Sequence, residues 1–157
     1  MQEGDIKPRE LAKEGFAISS LLQLDKNAYF TGEHSLLALG DDIYVTRGAQ
    51  VVFSGVDFLS QGGRLFVDRS SSLLVIDSIF QNGEEEINGI TWVNVEFRNT
   101  VVTYNGGPLR LRNVKFVDCR LGMPPFRYPT EIADAITSNL KQPVNYAYEP
   151  DGGQDHP

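Results

Sequence analysis

Three carboxylates recur at near-constant spacing in this chain of 157 residues: Asp57, Asp77 and Glu96, set 20 and 19 residues apart. On one outward face such a row would offer an acid and a base for cleaving a polysaccharide. Lys115 would occupy the next rung, with Arg98, Arg110 and Arg112 close in sequence. The plain alternative is a solvated strand face of alternating charge, where each cross-strand pair adds only a few tenths of a kcal/mol. We take the alternative, so no catalytic residue is expected; were the chain an enzyme, Asp57, Asp77 and Glu96 would carry its reaction.

Other chemistries find less support. A Ser–His or Cys–His pair needs a histidine beside its nucleophile, and neither His34 nor His156 sits in a recognisable motif. No His, Cys and carboxylate set has metal-ligand spacing, so neither metal nor cofactor is expected. The glycines of NGGPLRL (Asn105 to Leu111) are followed by strand residues, which makes them a turn and not a phosphate loop. Cys119, the only cysteine, excludes an internal disulfide and reads as a small buried residue close behind Phe116.

The net charge of −7 disfavours nucleic acid as a partner, because phosphate affinity comes from clustered Lys and Arg. Arg98, Arg110, Arg112 and Lys115 are the candidate binding residues, a basic patch opposed by Glu84-Glu85-Glu86. Two such faces would complement each other between subunits. No apolar run approaches the roughly 20 residues of a membrane span. The start MQEGD has no basic region followed by an apolar one, which gives a cytoplasmic expectation unless a leader or anchor has been removed.

What must position these residues is a repeat. FSGVDFLS, VIDSIFQN, WVNVEFRN and LRNVKFVD place Phe58, Phe80, Phe97 and Phe116 at intervals of 22, 17 and 19. Gly40, Gly62, Gly83 and Gly106 mark a similar period, as expected where each repeat needs a positive φ or a tight corner. A period near 20 built from short strands predicts coils stacked about 4.8 Å apart, with the four rings in one dry internal column. Ser60, Asn82, Asn99 and Asp118, two residues past each ring, suit a corner ladder of small polar side chains.

The sequence thereby resembles the right-handed parallel β-helix superfamily, which includes pectate-lyase-like enzymes and phage tailspikes. VVTYNGGPLRLRNVKFVDCRL (Val101 to Leu121) is similar to segments of short bacterial proteins of this type. The resemblance spans about half the chain and implies a fold and a bacterial source; it carries no catalytic motif.

The expected fold class is therefore an all-β solenoid, a short right-handed parallel β-helix of about 4–5 coils closed by helical caps at both ends. An antiparallel sandwich or barrel is the alternative. Residues 1–149 form one domain in this reading, with an N-terminal cap at 1–28, coils at 29–122 and a C-terminal cap at 123–149. Asp5 to Glu14 is expected to be a short helix, and TEIADAITSNLK a second at about 130–141 with Thr130 as its cap. Residues 150–157 read as a disordered tail. Functionally we expect a non-enzymatic structural or protein-interaction module that self-associates or binds a protein partner; a carbohydrate-active or carbohydrate-binding protein is the alternative.

Overall fold

The computed structural model describes residues 8–11, 15–139 and 142–149. Strands dominate, and they coil into a parallel β-solenoid of about five turns. They are β1 (Pro8–Glu10), β2 (Phe16–Ile18), β3 (Leu22–Leu24), β4 (Ala28–Leu39), β5 (Ile43–Val45), β6 (Gln50–Ser60) and β7 (Leu65–Val67). There follow β8 (Ser72–Gln81), β9 (Glu84–Glu86), β10 (Thr91–Arg98), β11 (Val101–Thr103), β12 (Leu109–Val117), β13 (Arg120–Leu121) and β14 (Val144–Tyr148). A helix, α1, runs Thr130–Thr137.

The long strands stack as β1-β4-β6-β8-β10-β12-β14, with β2 also on β4. The short strands make two separate sheets, β3-β5-β7 and β9-β11-β13. Every pairing is parallel except β12 with β14. That disposes of the antiparallel alternative.

Register explains the repeating phenylalanine. Leu37 pairs with Phe58, Phe58 with Phe80, Phe80 with Phe97 and Phe97 with Phe116, so one interior file runs through the stack. The four rings are essentially inaccessible, with successive centroids 6.2, 6.0 and 5.4 Å apart. Burying each contributes about 2–3 kcal/mol. A second file, Phe30, Phe53, Val75, Trp92 and Leu111, packs beside it. Trp92 satisfies its indole N–H on the Ile87 carbonyl at 3.0 Å.

Each coil turns its first corner on a left-handed residue inside the long strand: Gly55, Asp77, Asn94 and Asn113, with φ of 69°, 54°, 55° and 54°. The expected polar ladder two residues past the rings forms a second corner at Asn82, Asn99 and Asp118, and Asn139 extends it. Asn99 donates to Asn82 at 3.0 Å, and Asn139 to Asp118 at 3.1 Å. Ser60 departs from this ladder; it is buried and donates to the Gly63 carbonyl. Of the marker glycines, Gly62 and Gly106 take positive φ, whereas Gly83 is required for room, since a Cβ there would lie 2.2 Å from Ser60.

Of the two expected helical caps, the N-terminal one is corrected. Pro8–Glu10 is a strand, because the backbone of the next coil offers it a parallel edge; residues 5–7 and 12–14 lie outside the described residues. FAISSLLQL, which pattern leaves open between strand and helix, forms β2 and β3. After a 3₁₀ turn at Pro125–Arg127, the one α-helix among the described residues is α1, shorter than expected at its C-terminal end, where 140–141 are not described. Thr130 is its first residue and not its cap; Pro129 holds that place without a side-chain bond. Ile132, Ala133, Ala135 and Ile136 are buried. The Tyr128 hydroxyl ties the preceding turn down, donating to the Val102 carbonyl at 2.5 Å. Residues 150–157, expected as a tail, are outside the described residues.

Candidate functional site

The first-corner residues line a strip on the outside of the coil. Asn113 donates its side-chain amide to Asn94 Oδ1, and Asn94 donates to Asp77 Oδ1 at 2.8 Å. The next place in the row is Gly55, whose missing side chain leaves a gap; a Cβ there would sit 2.3 Å from the Gly32 carbonyl oxygen. Beyond the gap stands His34, with positive φ, its Nδ1 2.9 Å from Asp57 Oδ1. Together with Glu96 and Lys115 this strip bounds a shallow groove of about 520 Å³.

The three carboxylates do not form a row. Asp57 pairs in register with Ile79, and so does Glu96, so these two stand two rungs apart with an isoleucine between them. At about 4.8 Å per rung their backbones are about 10 Å apart. Asp77 belongs to the corner, opposite Asn94. Each has its own partner: His34 for Asp57, Asn94 for Asp77, and Arg98 for Glu96, where Arg98 Nε lies 2.5 Å from Glu96 Oε2. An acid and a base sharing one substrate atom do not emerge from this arrangement.

The basic set is divided by the same corner. Arg110 and Arg112 precede Asn113 on β12, while Lys115 follows it, in register with Glu96. Arg98 pairs with Glu96, and Arg110 with Glu149, just past the end of β14. Arg112 and Lys115 are exposed. The expected acidic counter-patch fails because Glu85 is wholly buried, and only Glu84 and Glu86 reach the surface.

A larger groove, about 1290 Å³, was not anticipated. Tyr44, Asp68, Arg69, Asn88, Asn105 and Arg110 are among its lining residues. Tyr44 packs on Phe66 with centroids 5.9 Å apart and leaves one side exposed. Hydrogen bonds from Ser71, then Ser70 and the Arg47 N–H, hold the Asp68 carboxyl below its usual range. Tyr44 and Val67 come from short strands, Thr91, Leu109 and Arg110 from long ones, and the rest mostly from the loops between them, where no period shows. Among the described residues no group of His, Cys and carboxylates is placed to hold a metal ion. No helix there is long and apolar enough to cross a membrane.

The fold defines the chain as a parallel β-solenoid protein. No protein-family model, curated protein or solved structure matches it.

Proposed function

We propose that the protein is a non-enzymatic interaction module that associates through the N-terminal end of its solenoid, with itself or with a protein partner. One observation carries this reading: Phe16 pairs with Leu37 and so heads the interior ring file, yet half of it, 50%, is exposed. Elsewhere in the file Leu37 and the four rings are buried. Leu21 and Leu36, near the same end, are also exposed. Apolar surface in the register of a core is what an association face offers. The separate engagement of Asp57, Asp77 and Glu96 favours binding over catalysis. Size-exclusion with light scattering should give a defined oligomer that Phe16→Glu dissociates; a strict monomer at high concentration would oppose the reading.

A second reading, carbohydrate binding or turnover, is favoured by the groove at Tyr44, where an exposed ring, amides and a carboxylate adjoin. It also keeps the outward carboxylates as candidates. Alanine at Tyr44 and Asp68 should then abolish binding in that groove, and alanine at Asp57 and Asp77 any turnover on the carboxylate face; silence across a glycan panel removes this reading.

A further inference from the structure

Among the described residues Glu85 is the one carboxylate side chain in the core, with no exposed surface. It lies five residues past Phe80, as Val102 lies five past Phe97 and Leu121 five past Phe116, and it pairs in register with Val102. Its side chain therefore enters a file otherwise made of aliphatic groups. Oε1 accepts the Leu65 N–H at 3.0 Å, and Oε2 is buried without a hydrogen-bond partner.

The position is a break in the architecture. β7 ends one three-stranded sheet and β9 begins the next, with no ladder between them. The break falls where the second corner changes length. Residues 61–64 separate β6 from β7, whereas 82–83 alone separate β8 from β9, and the later coils keep the two-residue corner at 99–100 and 118–119. The Glu85 carboxyl bridges this seam, taking a Leu65 N–H that lacks a strand partner on that side.

We propose that Glu85 is a proton-operated latch: protonated, it closes the seam between β7 and β9, and ionised, it releases one strand from the other. An ionised carboxylate held there would have one N–H donor and one empty oxygen in an apolar interior, a costly arrangement that local opening relieves. Burial pushes the Glu85 carboxyl well above its ordinary value, while the Leu65 N–H and the Arg64 guanidinium oppose the shift in part. Arg64 already lies 3.5 Å from Glu84, and the charges of Glu86 and Asp42 add to the upward push. The adjoining strand β11 brings Val101, Val102 and Thr103, none of which titrates. The sign follows from proton binding: the folded chain keeps a proton that the unfolded chain has lost. Stability therefore falls as pH rises above the ordinary glutamate value of 4.5, and stops falling once the folded-state value is passed. Val67 and Asn88, which flank the seam, also line the larger groove, so release would widen that groove.

The test compares wild type with Glu85→Gln, which keeps an oxygen for the Leu65 N–H and has no proton to lose. Above about pH 4.5 the wild-type unfolding constant should rise relative to the variant by up to tenfold per pH unit. Hydrogen exchange at Leu65 and Val67 should quicken in step, while amides of β10 and β12 keep their protection. The carboxyl-carbon resonance of Glu85 should stay at its protonated shift above about pH 4.5, a measurement that decides the matter even if the variant does not fold. Loss of that proton at the ordinary glutamate value, or parallel pH profiles for the two proteins, would overturn the proposal.

Discussion

Asn94 donates its side-chain amide to Asp77 Oδ1 at 2.8 Å, and both residues hold left-handed backbone at the same corner of successive coils. The bond joins coil to coil outside the β ladder and commits Asp77 to the fold. Asn94→Ala removes two ladder bonds, the one to Asp77 and the one from Asn113, and forces a non-polar residue into positive φ. Each of the three losses costs about 1 kcal/mol, so about 3 in total. Asn94→Gly loses the bonds without the backbone strain and should cost about two-thirds as much. Urea midpoints of the two variants measure the difference, and equal midpoints would remove the backbone part of the account.

The ring file should be steeply graded. Phe97 is enclosed between Phe80 and Phe116, so Phe97→Ala is expected to cost about 3–5 kcal/mol. Phe16 stands at the end with half its surface open, and Phe16→Ala should cost less than about 1.5 kcal/mol in the isolated chain. Chemical denaturation at low protein concentration separates these values from any effect on association.

Gly83 and Ser60 form a size-matched pair. An alanine methyl at Gly83 would lie 2.2 Å from the Ser60 Cβ and Oγ, so Gly83→Ala should destabilise by about 1–3 kcal/mol. Adding Ser60→Gly opens the same space, and the double variant should recover part of that loss. A double-mutant cycle on melting midpoints reads the coupling, and strict additivity would refute it.

Cys119 should be inert in the native protein. It is 8% exposed, its thiol faces the Phe97 carbonyl at 3.2 Å, and burial pushes its pKa up, leaving little thiolate near neutral pH. Alkylation at pH 7.5 should be slower than in denaturant by at least about a hundredfold, a ratio that mass spectrometry gives directly. Comparable rates would show that the last coil opens readily.

The solenoid was legible because its strands keep one phase while its corners vary. Counting back from each ring recovers more than the ring column. Three residues before Phe58, Phe80, Phe97 and Phe116 stand Gly55, Asp77, Asn94 and Asn113, all suited to left-handed backbone. One residue before them stand Asp57, Ile79, Glu96 and Lys115. The apparent carboxylate row came from counting 20 residues onward from Asp57, when that coil advances by 22. Glu85 was hidden in a run of three glutamates, and only its count from Phe80 reveals an inward position. Short strands such as Pro8–Glu10 were beyond reach, since a three-residue strand carries no period and owes its conformation to the edge beside it. The same holds for Val144–Tyr148, whose partner is β12.

The antiparallel seat of β14 on β12 has a consequence for how this architecture can lengthen. A further parallel turn would be laid on the edge of β12, and β14 takes that edge between Leu109 and Val114, running the other way. A repeat placed between β8 and β12 would meet only parallel neighbours. One appended after Tyr148 would find the edge of β12 already taken.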